Sequence, residues 1–155
     1  MKLRELIPQD IWIKIIGLTK DQIKKLPSGI VGLERTSSLE ELITYYQGAL
    51  AFVNPSKNDT FPTVNLESLA CGTPVITYRT GGSPEAVDAK TGIVVEKGDI
   101  NGLAQAIKYI IDNPDKYSVE NCRKRAVEKF NKDIQFNKYI DLYEDLLGAS
   151  LSIKI

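Results

Sequence analysis

Histidine is missing from all 155 residues, and that absence removes several chemistries together. With no neutral imidazole to take a proton near pH 7, Ser/His and Cys/His nucleophile arrangements are excluded. Cysteine is scarce: Cys71 and Cys122 stand alone with no CxxC, so the ordinary zinc sets are missing and no metal site is expected. Net charge is missing too, since 20 Lys plus Arg balance 20 Asp plus Glu. No overall basic field gathers nucleic acid, so none is expected as a partner, and any polyanion must be held locally. No stretch approaches about 18 uninterrupted apolar residues, and residues 1–8 carry no apolar run of signal-peptide length. The expectation is a soluble, cytoplasmic chain.

What is present is an ordinary globular composition, 43% hydrophobic and 26% charged. A chain of this mass removes about 17,000 Å² of the roughly 25,000 Å² its unfolded form exposes, enough for a core without staples. One domain over residues 1–150 is expected, with 151–155 as a tail. Five short β-branched runs, at 11–16, 29–33, 49–54, 74–78 and 92–96, read as buried strands. Helical patterns separate them. Thr19 caps a segment through Leu26; Ser37 or Ser38 opens 39–47; residues 62–71 form a helix closed by Gly72 and Pro74. Ser83-Pro84-Glu85 starts another, with serine at the cap and proline first. Three helices, at 100–112, 117–130 and 133–147, then follow without a strand. Leu151-Ser152-Ile153-Lys154-Ile155 alternates as a half-buried strand would. The fold class that fits is a three-layer, Rossmann-like α/β domain with a mainly parallel sheet. Such sheets bind ligands beyond the carboxyl ends of their strands, which directs attention to the loops after Leu33, Val53 and Tyr78.

The loop Pro55-Ser56-Lys57-Asn58-Asp59-Thr60-Phe61, entering a helix at Pro62, is the most informative stretch. A helix start facing a strand end offers free amides and about half a positive charge, a way to hold phosphate without a basic patch. Pro62, read as the first helical residue, lacks an amide; Thr63 and Val64 keep theirs, and the Thr63 hydroxyl adds a donor. Glu67 is the only charged residue from Pro62 to Cys71. An arbitrary glutamate in such a place is usually a solvated flank. Less than two turns past a phosphate site, however, a carboxylate can accept hydrogen bonds from both hydroxyls of a ribose. Asp59 would face the group beyond the phosphates, against the simpler role of stabilising its own turn. Gly81-Gly82-Ser83-Pro84-Glu85 reads equally as a cleft wall or as a plain turn before a capped helix. Arg79 and Arg123-Lys124-Arg125 read most simply as solvated, and Trp12 as core.

These residues carry a family resemblance. Asn54-Pro55-Ser56, Asp59, Phe61, Leu66-Glu67, Ala70-Cys71-Gly72-Thr73-Pro74-Val75-Ile76 and Gly81-Gly82-Ser83-Pro84-Glu85 together resemble the donor-binding C-terminal domain of retaining glycosyltransferases. The type is the glycosyltransferase-B fold, family four, also described as glycosyl transferases group 1. The resemblance implies that Glu67 binds the ribose of a nucleotide sugar and that Asp59, the catalytic candidate, contacts the transferred sugar. It also implies that Thr60, Phe61, Thr63 and Val64 line the substrate site at the helix start, and that Leu33, Glu34 and Arg35 meet the base. The nucleotide sugar is a substrate, and no cofactor is implied. Asp59 departs from the usual glutamate by one methylene, shortening its reach by about 1.5 Å; Thr60 and Pro62 stand where glycines are common.

The chain is too short to include the family's N-terminal domain, which binds the acceptor, a glycan or lipid-linked sugar. It also lacks the opening strand of the C-terminal domain, so the strands at 11–16 and 49–54 are expected to flank a gap. A partner chain completing the sheet, as in a homo-oligomer, or the 151–155 tail would fill it. The expected function is nucleotide-sugar binding for sugar transfer in polysaccharide biosynthesis, incomplete in this chain alone, with the full-length enzyme peripheral to a membrane. The alternative is a non-catalytic truncated remnant acting as a binding or interaction module. An epimerase half of the same fold is weaker, because it does not explain Asp59 and Glu67 around this loop.

Overall fold

The structure, a computed structural model, describes residues 2–152, with side chains described as far as 148. In chain order the elements are α1 (Lys2–Leu6), β1 (Ile13–Ile16), α2 (Lys20–Ile23), β2 (Ile30–Leu33), α3 (Leu39–Gln47) and β3 (Phe52–Asn54). They continue with α4 (Thr63–Cys71), β4 (Val75–Tyr78), a single 3-10 turn (Ser83–Ala86), β5 (Gly92–Val95), α5 (Ile100–Asp112), α6 (Val119–Phe130) and α7 (Lys132–Ser152). All five strand runs form, in the βαβ alternation that their apolar sequence and intervening caps require.

Cap chemistry sets the helix boundaries. Thr19 and Gln22 form a reciprocal capping box at α2, while Ser38, Asp99 and Ser118 each accept an amide hydrogen bond at the starts of α3, α5 and α6. Gly72 ends α4 in the left-handed conformation, φ 91°.

Every strand pair is parallel, but the ladder is broken: β1 pairs β2, and β3-β4-β5 form a separate sheet. The expected gap between β1 and β3 is therefore present. Burial records it. All four residues of β4 are buried, as in a strand with neighbours on both sides, whereas β1 and β3 are mostly half-buried despite equally apolar sequences. The described part of the tail does not fill the gap. Leu151 and Ser152 continue α7, and 153–155 lie outside the described residues.

Alternation along β4 builds the two faces of a three-layer domain. Ile76 and Tyr78 pack with Ile7, Val95 and the α5 residues Leu103, Ala106, Ile107 and Ile110. Val75 faces the other way, onto Leu69 of α4, Ala86, Val87, and Cys122 and Ala126 of α6. Burial raises the Cys122 thiol to about 11, which leaves it a packing residue. Ile13, Ala51 and Val53 join the first cluster, so both halves of the broken sheet share one core.

Four local expectations are corrected. Trp12 precedes β1 and is 62% exposed, because it lies outside the ladder that would have turned it inward. Pro62 is the residue before α4 rather than its first, with extended backbone (ψ 108°). The helix expected from Ser83 is one 3-10 turn with Gly82, not Ser83, before it; Val87 returns to extended backbone at once. Arg125 is not a solvated member of its cluster. It donates to the carbonyls of Glu85, Ala86 and Val87 and pairs with Asp88 at 2.9 Å, satisfying the carbonyl end of that turn.

Candidate functional site

The loop after β3 and the start of α4 form the site, and a buried amide pair fixes them to each other. Asn54, the last residue of β3, donates from Nδ2 to Oδ1 of Asn65 in the first turn of α4 at 3.0 Å, and its own Oδ1 accepts the Ser56 amide. Sequence reasoning missed Asn65, although an amide amid apolar residues in a first helical turn was the available signal. Asn65 is 0% exposed, and its Nδ2 has no hydrogen-bond partner among the described residues. Thr77 and Thr80 on the β4 side reach across to the Asn54 and Ser56 carbonyls at 3.4 and 3.2 Å.

The N-terminus of α4 is open. Asn65 N is the first amide to be used, bonding the Pro62 carbonyl at 3.1 Å. Thr63 and Val64 precede the first intrahelical bond, no side chain caps them, and both residues are exposed. Most helices with unused first-turn amides carry a Ser, Thr, Asp or Asn before them, as α2, α3, α5 and α6 do here. Proline in that position leaves both donors facing solvent.

Glu67 lies one turn further on. Its Oε1 is 3.5 Å from the Thr63 hydroxyl, and its Oε2 accepts from the Tyr46 hydroxyl at 3.3 Å. Burial and the Glu67 carboxylate together push the Tyr46 hydroxyl well above its usual range, so Tyr46 stays a donor and orients Glu67. Tyr46 is itself fixed, edge-on to Phe52 at 5.4 Å, with its carbonyl accepting from Thr73. Glu67 is exposed and makes no ion pair among the described residues, which leaves acceptor capacity outward.

Asp59 and Thr60 lie on the far side of the loop. Asp59 is half-buried, with no hydrogen bond or ion pair among the described residues. Gly81 and Gly82 press against this segment: Gly82 N donates to the Thr60 carbonyl at 2.6 Å, and a Cβ on Gly81 would lie 1.9 Å from the Asp59 carbonyl oxygen. The glycines therefore support the loop from behind and permit the close approach that only glycine allows. Phe61, 37% exposed, stacks obliquely on Phe130 of α6 at 6.1 Å. A cavity of about 680 Å³ opens beside Asp59, Thr60 and Gly81.

Leu33 ends β2 in the other sheet, and Glu34 and Arg35 follow it. Leu33 is half-buried and its carbonyl accepts the Gly17 and Leu18 amides, while Glu34 and Arg35 are exposed. They are not part of the cavity beside Asp59.

Parallel β-strands with helices on both faces, and a helix start open at the strand ends, make a Rossmann-like α/β unit. Comparison with known proteins gives its family. The family described as glycosyl transferases group 1 matches residues 2–129, and the chain belongs to it. Among curated relatives, the D-inositol 3-phosphate glycosyltransferase of Corynebacterium jeikeium is 37% identical over 112 residues, covering 71% of this chain and 27% of its own. The capsular polysaccharide biosynthesis glycosyltransferase CapM of Staphylococcus aureus is 32% identical over 111 residues, covering 70% and 29%. Among solved structures, Anabaena Alr3699/HepE in complex with UDP superposes with a TM-score of 0.73 at 20% identity, covering 89% of this chain and 43% of that one. The chain thus spans about a quarter of the length of the curated relatives it matches. Among the described residues no helix is long and apolar enough to cross a membrane.

Proposed function

We propose that these residues form the nucleotide-sugar-binding part of a retaining glycosyltransferase. The observation that carries this reading is the uncapped start of α4, with Glu67 held one turn inside it by Tyr46 and the Asp59 loop alongside. A diphosphate sits on the Thr63 and Val64 amides, where the helix dipole stabilises the charge that grows on it as it leaves. Glu67 accepts from the ribose hydroxyls. Asp59 accepts from hydroxyls of the transferred sugar, and its unpaired state fits that task. Thr60 and Phe61 complete the wall, and the base lies toward Leu33, Glu34 and Arg35. That a neighbour of the same fold is a UDP complex, and that relatives are named as glycosyltransferases, supports this reading.

The acceptor, a glycan or lipid-linked sugar, is held by a domain outside these residues. The open edges of β1 and β3 await a strand from the same source or from a second copy.

Calorimetric titration with UDP, GDP and ADP, repeated on Glu67→Ala, tests the donor site. One of the three is expected to bind saturably and the substitution to weaken it about tenfold or more, with a thermal melt verifying that the variant, whose Tyr46 hydroxyl loses its acceptor, still folds. Failure of all three in a folded chain would sink the donor-site reading and leave a module that acts only by association.

A further inference from the structure

The cavity beside Asp59 has a charge pattern that a neutral sugar does not use. Each of three consecutive strands delivers one cation to it from the loop beyond its carboxyl end: Lys57 after β3, Arg79 after β4 and Lys97 after β5. The chain as a whole is balanced in charge, yet this lining holds three cations to the single carboxylate of Asp59. Only Arg79 has an acidic partner, Glu96 at 2.7 Å. Lys97 Nζ donates to a neutral atom, Asn58 Oδ1, at 3.1 Å, and joins the loop after β5 to the loop after β3. Lys57 has no hydrogen bond or ion pair among the described residues, and neither lysine approaches Asp59 within ion-pair distance. Lysines placed to neutralise Asp59 would pair with it. These instead line the same cavity as Asp59 without pairing with it.

We propose that this cavity takes the anionic substituent, a carboxylate or phosphate, of an acidic sugar. The inference rests on the reading of Asp59 as the residue that meets sugar hydroxyls, and it adds the class of sugar: one whose ring is held by Asp59 and whose charged group lies among Lys57, Arg79 and Lys97. Ammonium groups act as mobile point charges, so the site selects for negative charge more than for one geometry. Partly exposed pairs are individually weak and strongly screened, so the selectivity comes from several acting together and falls with salt.

The test compares charged and neutral sugars on the whole chain. Calorimetry measures UDP, UDP-glucose and UDP-glucuronate, and amide chemical shifts follow free glucose, glucuronate and glucose 6-phosphate. UDP-glucuronate is expected to bind about fivefold tighter than UDP-glucose at low salt, and within twofold of it at high salt. Lys57→Gln combined with Lys97→Gln removes the difference and leaves UDP affinity within about twofold. Both side chains are exposed, and a thermal melt verifies that the double variant folds. Preference for glucose 6-phosphate over glucose, without preference between the two nucleotide sugars, upholds the cavity and assigns the anion to the acceptor. If UDP fails to bind while glucuronate or glucose 6-phosphate still shifts the amides of 57–60, 79–81 and 97, the donor reading falls and the cavity stands. Equal behaviour of all three free sugars, together with equal affinity for both nucleotide sugars, would overturn the proposal.

Discussion

A methyl group on Gly81 would meet the Asp59 carbonyl oxygen at 1.9 Å, far inside contact distance, on a backbone already at φ +46°. Neither side of that contact is a flexible chain end, so Gly81→Ala must move the loop. It is expected to destabilise the fold by about 1–3 kcal/mol and to weaken nucleotide-sugar binding more than nucleotide binding. Chemical denaturation and parallel titrations measure the two effects. The same close approach ties the glycine pair to the Asp59-Thr60 loop, and Gly81 also lies in the lining of the cavity beside Asp59. Asp88 is a second residue whose behaviour follows from its partners. Burial opposes its charge, but the Lys90 amide, the Thr91 hydroxyl and Arg125 together hold its carboxyl below the usual range. Because the folded value lies below the unfolded one, the stabilisation is present above about pH 4 and is lost as pH falls through the folded value. Asp88→Asn should therefore lower the melting temperature at neutral pH and flatten its decline below about pH 4.

At the scale of elements, α4 is set by opposing end conditions: a proline that leaves its first amides free and a left-handed glycine that satisfies its last carbonyls. That asymmetry leaves one end open and makes the other a closed turn. The 3-10 turn shows the reverse dependence, since its carbonyl end is satisfied by Arg125 from α6, 37 to 40 residues away. The broken sheet makes a direct prediction for the strands. Amide exchange should be slowest in β4, which is bonded on both sides, and faster in β1 and β3, whose facing edges lack a ladder. Equal protection of all three by exchange mass spectrometry would mean that the gap is closed in solution. The sequence made the strands and helices legible because their caps and apolar runs are local signals. It could not place Trp12, because whether the residue before a short strand turns inward depends on which neighbour strand exists.

The whole molecule exposes 10,348 Å², about a third more than the roughly 7,800 Å² expected of a compact chain of its mass. Exposed apolar side chains line α7, where Phe136, Tyr139, Ile140, Tyr143 and Leu147 are all more than half exposed. Together with the open sheet edges, this surface matches a unit that functions against another body, in keeping with the fraction of its relatives that it spans. The chain by itself is expected to bind donor without transferring its sugar. An assay of several nucleotide sugars with glycan and lipid-linked acceptors checks this, and turnover at rates ordinary for enzymes, about 1 per second or more, would contradict it.

The sequence by itself determined the parallel α/β order, the family, and the loop and helix start of the candidate site, because periodicity, caps and a contiguous motif are written along the chain. Only the tertiary structure decided that Tyr46 holds Glu67, that Asn54 and Asn65 fix the loop to α4, that Arg125 is an anchor, and that Lys57, Arg79 and Lys97 share one cavity. Each of these joins residues 11 to 40 positions apart, and a contact of that kind exists only once separate strands are brought side by side.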